Sequence, residues 1–228
     1  MTKGNMYEDA IYRWNVFVGC EFDCIYCKKS FKAQMRRQIH NCELCGNYIP
    51  HFHEERLNKK LPKTRGDQFI WVGSSGDISF ISNDNMEHIL NKIKEYPDRT
   101  FFFQTKDPEW FSQWVFPSNT ILGITLETDR NTKLLEFSKA PSPLTRFYDF
   151  KDIKHHRKFI TIEPILKFNL GVFLRMIQGL KPERIYIGYD SKKNNLPEPS
   201  LKKVRHLISI MKDFTKVKEK LMREAWDE

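Results

Sequence analysis

Three thiols stand close together near the start of the chain: Cys20, Cys24 and Cys27, in the run Gly19-Cys20-Glu21-Phe22-Asp23-Cys24-Ile25-Tyr26-Cys27-Lys28. Disulfides consume cysteines in pairs and would leave one over, whereas a tight trio on one short loop suits a single metal centre. A cubane four-iron cluster ordinarily takes four cysteines, so a loop that offers three leaves one iron open to another ligand. Three cysteines and one histidine could also close a tetrahedral zinc site. Zinc modules usually present their ligands as two separated pairs; this trio follows an apolar run and precedes a helical stretch, which favours the cluster.

A second group of metal-ligating types follows at once. Cys42-x-x-Cys45 is succeeded by His51-x-His53, with His40 nearby, and thiolates with imidazoles are ligands of the right softness for zinc. His40 is the alternative to one of the two histidines. An auxiliary iron–sulfur cluster, a redox-active Cys-x-x-Cys pair and an unliganded set are the competing readings.

All five cysteines fall between Cys20 and Cys45, and the N-terminus carries no apolar signal segment. An odd, bunched count in such a chain argues for metal ligation in a reducing cytoplasm rather than disulfide stapling. No run of eighteen apolar residues is present, which excludes a membrane-spanning helix. The net charge of +9 is uneven: residues 28–65 hold ten Lys/Arg against Glu43, Glu54 and Glu55. Such a window attracts polyanions, nucleic acid among them, and is equally the pattern of a solvated basic surface.

The elements that must position these groups alternate. Apolar runs at Ile11–Val18, Phe69–Val72, Thr100–Gln104, Thr120–Leu126, Phe159–Ile162 and Arg184–Ile187 read as strands. Helices are expected over Lys28–Gln38, from a capping-box-like Asp84-Asn85-Met86-Glu87 onward, after Asp107-Pro108, near Asn131–Phe137, over Leu170–Ile177, from Leu201 to Met211 and over Thr215–Ala225. Residues 144–156 give no clear signal. Residues 40–66 interrupt the rhythm as a Cys/His-containing insertion after the first helix. A chain of 228 residues supports one core, so 1–228 is read as one domain, α/β, with parallel strands and right-handed crossovers.

Cys20-x-x-x-Cys24-x-Tyr26-Cys27 resembles the signature of the radical S-adenosylmethionine (SAM) superfamily. The placement of Gln104-Thr105-Lys106, Leu126-Glu127, Ile162-Glu163-Pro164 and Ile187-Gly188 is similar to that of a phage-protein-like branch distantly related to spore photoproduct lyase. The resemblance implies a partial (β/α)6 barrel and a [4Fe–4S] cluster on Cys20, Cys24 and Cys27. It also implies SAM on the open iron, cleaved reductively to methionine and a 5′-deoxyadenosyl radical that abstracts hydrogen from a substrate. An external electron donor is then required.

By the same resemblance Tyr26 packs beside the adenine, and Gly73, Ser74 and Ser75 hold the methionine amine, although the family's Gly-Gly-Glu is absent. Thr105 and Glu127 bond the carboxylate or ribose, and Glu163 faces the sulfonium or the substrate. Barrels of this kind collect their chemistry at strand C-termini. Cys42, Cys45, His51 and His53 are expected to hold zinc and to pin the basic insertion over the mouth. The substrate class favoured is a nucleic acid or nucleotide, with a peptide, a small metabolite or a partner protein docked on the insertion as the other readings. The hypothesis from another class is a non-catalytic, metal-stabilised nucleic-acid-binding module.

Overall fold

The computed structural model describes residues 7–131 and 137–226. The first apolar run is two strands, not one: β1 (Ala10–Trp14) and β2 (Phe17–Gly19). They part at Asn15, whose carboxamide oxygen accepts from Ser74 Oγ at 2.8 Å and from the Ser75 amide at 3.1 Å. That polar tether carries the chain out of the main sheet just before the cysteines.

The helical run begins at α1 (Ile25–Cys27), three residues earlier than expected, and continues through a π turn at Lys28–Lys32, α2 (Ala33–Met35) and a 3₁₀ turn at Arg36–Gln38. Ser30 Oγ donates to the Tyr26 carbonyl at 2.7 Å, a local competitor for the helical ladder. The insertion holds α3 (Glu43–Asn47) and β3 (His51–Phe52).

Next come β4 (Phe69–Val72), β5 (Ser75–Gly76), α4 (Asn83–Lys94), β6 (Phe101–Thr105) and β7 (Thr120–Thr125). The cap of α4 is Ser82 rather than a box at Asp84, and Pro108–Gln113 forms a 3₁₀ helix. The helix expected near Asn131–Phe137 lies largely on 132–136, outside the described residues. The segment that gave no sequence signal is α5 (Pro143–Asp152), capped by Ser142 accepting from the Thr145 amide at 3.1 Å. The chain continues with β8 (Lys158–Ile162), α6 (Leu170–Leu180), β9 (Arg184–Ile187), α7 (Leu201–Met211) and β10 (Lys216–Glu219).

Seven strands form one curled, all-parallel half-barrel sheet in the order β1-β4-β6-β7-β8-β9-β10. The expected parallel half-barrel is therefore present, with a strand more than the six anticipated. The extra one, β10, corrects the helix expected over Thr215–Ala225: Lys216-Val217-Lys218-Glu219 favours a helix by composition, but the open edge of β9 pairs with all four residues. Tertiary pairing overrides local preference, and lysines suit a solvent-facing edge. Among the described residues no helix is long and apolar enough to cross a membrane.

The main core fills the space between the sheet and its helices, with Met86, Ile89 and Ile93 of α4, Phe173 and Ile177 of α6 and Val204, Leu207 and Ile208 of α7 all buried. An aromatic cluster fills the concave face: Tyr7, Phe69, Trp71, Phe102, Phe159 and Tyr186. A second, three-stranded sheet joins β2 to β3 antiparallel and to β5 parallel. Here two glycines are required by contact. Gly19, at φ +103°, would place a Cβ 2.3 Å from the Ile49 carbonyl, and a Cβ on Gly76 would lie 2.3 Å from the Gly19 oxygen. Backbone thus packs on backbone directly before Cys20. Gly19→Ala is expected to lower stability by about 2 kcal/mol or more through strain and overpacking, read as a shift in denaturant midpoint; an unchanged midpoint would show that the crossing is loose.

Candidate active site and metal centre

A cavity of about 280 Å³ opens at the C-terminal ends of the strands, with Cys20, Cys24 and Cys27 on one wall. Facing them are Gln104, Thr105 and Lys106 from the end of β6, Thr125 from β7, Glu163 after β8, and Tyr189, Asp190 and Ser191 after β9. Of the residues nominated from sequence, the three cysteines, Tyr26, Ser74, Thr105 and Glu163 line this cavity. Gly73, Ser75 and Glu127 do not; Gly76 and Asp77 line it instead.

The thiols are not equivalent. Cys24 Sγ lies 3.0 Å from Ser138 Oγ and accepts from Lys106 Nζ at 3.6 Å. A hydrogen bond from Cys27 holds the Cys24 thiol well below the ordinary range, aided by the Lys106 charge, and the same bond pushes Cys27 up. Burial pushes Cys20 up, with Asp77 adding to it.

Behind this wall Glu127 is fully buried, as is Arg146. Tyr26 donates to Glu127 Oε1 at 2.6 Å, Lys106 Nζ stands 3.0 Å from the same oxygen, and Arg146 Nη1 lies 2.9 Å from Oε2. Lys106 also donates to the Tyr26 hydroxyl and lies 4.5 Å from the Tyr26 ring centroid. Burial alone would raise the Glu127 carboxyl; Arg146 and then Lys106 outweigh it and hold the group down at about 2. Glu127 therefore sits under the site, fixing Tyr26 and Lys106, which face the cavity. Arg146 escaped sequence reading because it lies in the stretch without periodicity. The signal that would have found it is the demand of a carboxylate behind a buried strand for a cation.

Thr105 is likewise turned inward. Its hydroxyl donates to Asp77 Oδ1 at 2.5 Å, while the Lys106 amide donates to Asp77 Oδ2 at 2.9 Å. Burial raises the Asp77 carboxyl, and the bonds from Thr105, Lys106 and Ser79 partly offset that. Across the cavity Glu163 Oε2 stands 2.8 Å from Lys220 Nζ, from the chain just beyond β10. Its carboxyl is raised by burial against the opposing pull of Lys220.

Cys42, Cys45, His51 and His53 converge, their ligand atoms all within 4.8 Å of one another. Cys45 Sγ lies 3.3 Å from His51 Nε2 and 3.1 Å from His53 Nε2, and the two Nε2 atoms are 2.8 Å apart. Each Nδ1 is already engaged, His51 with the Ile49 carbonyl at 2.7 Å and His53 with Glu55 Oε1 at 2.9 Å. Outer partners of this kind orient imidazoles that ligate through the other nitrogen, and two such lone pairs this close call for a cation between them. Burial pushes Cys45 up to about 11 and lowers His53; a metal bound here would displace the thiol protons to solvent. Both histidines of the His-x-His pair take part: residues i and i+2 of an extended segment share a face, so β3 and the residue after it aim both rings at the two cysteines; His40 is exposed and lies outside the group.

The cysteine trio fits a [4Fe–4S] cluster with one open iron. Two of the five cysteines are taken by the second group, so no fourth thiol is left to close the coordination, and the buried Lys106 ammonium is placed to balance thiolate charge.

No family model matches the sequence, and no curated protein matches it. Solved structures do share the fold. SuiB of Streptococcus suis bound to SAM aligns at 10% identity and TM-score 0.51 over 90% of this chain and 48% of SuiB. SuiB bound to its precursor peptide SuiA aligns at 11% and 0.53 over 92% and 48%. A spore photoproduct lyase variant with dinucleoside spore photoproduct aligns at 12% and 0.51 over 94% and 64%. The chain thus spans about half the length of SuiB and just under two thirds of the lyase. The fold is the one these radical SAM proteins use.

Glu127→Gln tests the buried network. With a folded-state value near 2 against an ordinary 4.5, the Glu127 contribution is complete above pH 4.5 and is lost as pH falls through 2; it amounts to about 3 kcal/mol. Denaturant midpoints at neutral pH are expected to fall by that order in the variant, and the variant should lose part of the wild-type decline between pH 4.5 and 2.

Proposed function

We propose that the chain is a radical SAM enzyme, on one observation above the others: three cysteines, with no fourth available, line a cavity at the C-terminal mouth of a parallel half-barrel. A [4Fe–4S] cluster on Cys20, Cys24 and Cys27 would supply the electron that cleaves SAM. The remaining work falls to side chains already in position. Tyr26, fixed through its hydroxyl by Glu127 and Lys106, offers a ring face to a planar group. Ser74 and Asp77, the latter held by Thr105, line the cofactor side. Glu163, its carboxyl raised by burial and paired with Lys220, faces the substrate side. The aromatic cluster beneath the cavity keeps its floor dry.

The substrate class is a nucleic acid or nucleotide. Lys28 and Lys29 follow Cys27, Lys192 and Lys193 follow Ser191, and all four are exposed. Lys29 Nζ donates to the Lys193 carbonyl at 3.1 Å, so the two basic segments meet beside the cavity. The structure of the lyase with a dinucleoside photoproduct agrees with this reading; the peptide held by SuiB is the comparison that favours a peptide instead. In the insertion, Cys42, Cys45, His51 and His53 hold zinc, a set of two sulfurs and two nitrogens suited to tetrahedral closure. An external reductant and a reducing, cytoplasmic setting complete the proposal.

Anaerobically reconstituted protein is expected to show sulfur-to-iron charge-transfer absorption and, with dithionite and SAM, to release 5′-deoxyadenosine. Cys24→Ala should abolish that release while leaving salt-sensitive oligonucleotide affinity in place. Colourless protein that carries zinc alone and still shifts oligonucleotides would instead identify a non-catalytic binding module.

A further inference from the structure

The two metal-ligating groups share a backbone. The Tyr48 amide donates to the carbonyl of Cys45 at 3.1 Å, and the Tyr48 carbonyl accepts from the amide of Cys20 at 3.4 Å. One residue therefore connects a thiol of each group through its own peptide units. Tyr48 closes α3 in the left-handed region at φ 61°, a conformation that a bulky side chain adopts only where its surroundings impose it. Its ring lines the same cavity as the cysteine trio and meets Phe31 edge-on, centroids 5.5 Å apart.

Other links run in parallel. His51 pairs with Val18 and Phe52 with Phe17 across β3 and β2, and the His53 amide donates to the Val16 carbonyl at 2.7 Å. Gly19 lies flat against the Ile49–Pro50 peptide. The segment that delivers Cys20 is thus built on a hairpin whose far side carries His51 and His53. The β2–β3 pair is anchored by the buried Phe17 and Val18, but the α3 turn has little apolar anchoring of its own: Leu44 and Ile49 are exposed, and a segment so short cannot hold a strained turn by burial alone.

We propose that metal at Cys42, Cys45, His51 and His53 is the template for the cysteine trio. By clamping α3 to β3 it fixes Tyr48 in its left-handed turn, and Tyr48 in turn fixes Cys20 and one wall of the cavity. Zinc binding then precedes cluster loading, and its loss releases the trio without unfolding the barrel. This rests on the zinc reading above and adds to it a direction of dependence.

Full-length protein is analysed for metal, then stripped with a chelator and compared with the zinc-loaded form in two ways. Amide exchange is expected to accelerate about tenfold, the opening of one or two hydrogen bonds, in peptides covering Phe17–Cys20 while β6 and β7 stay protected. Anaerobic iron and sulfide should yield several-fold less of the reduced-cluster electron paramagnetic resonance signal in zinc-free protein, with recovery when zinc is added before iron. Absence of zinc from the purified protein removes the zinc reading itself. Zinc that can be withdrawn with no change in exchange or in cluster signal leaves that reading intact and overturns the template. Loss of protection in β6 and β7 as well overturns it too, since the dependence would then be global.

Discussion

A fully buried carboxylate cannot stay ionised without cations and hydrogen-bond donors at hand, and the Glu127 site draws them from three directions. Arg146 reaches it from α5, Lys106 from the end of β6, and Tyr26 from α1, the turn that carries Cys27. Because Glu127 follows β7, the network ties two strand ends, an outer helix and the cysteine loop to a single point. Truncating one partner would strand the others, so the four have a common fate. Arg146 also donates to the Thr125 carbonyl at 2.5 Å, which closes the end of β7 against α5.

The same arrangement sets the electrostatics of the cavity. Lys106 spends its donors on Glu127, Tyr26 and Cys24 Sγ. Burial disfavours its charge, but Cys24 and Glu127 together raise it above the ordinary lysine value. A cation fixed beside a buried sulfur compensates negative charge that the dry wall could not otherwise hold.

What the residues disclosed in advance follows from how local each signal is. The cysteine trio, the buried strands Phe69–Val72 and Arg184–Ile187 and the amphipathic α7 were legible because spacing and periodicity are written within a dozen residues. The half-barrel followed from their alternation. Three features were not legible. β10 looks helical by composition and becomes a strand only because β9 offers an edge. The inward turn of Thr105 and the burial of Glu127 depend on Asp77 and Arg146, partners 28 and 19 residues away in sequence whose approach no local pattern records. That His51 and His53 both reach the two cysteines while His40 is left out depends on the left-handed turn at Tyr48 between α3 and β3.

The sheet has two end strands, β1 and β10, and among the described residues no ladder joins them. Across the concave face stands Tyr7. Its ring touches Trp71 of β4 and Tyr186 of β9 at centroid separations of 4.6 and 4.5 Å, and its hydroxyl bonds Gln104 and Thr161 at 2.6 Å each. One aromatic side chain thereby acts as a keystone: the girth of the half-barrel at that level is set by the thickness of a phenol rather than by the spacing of paired strands.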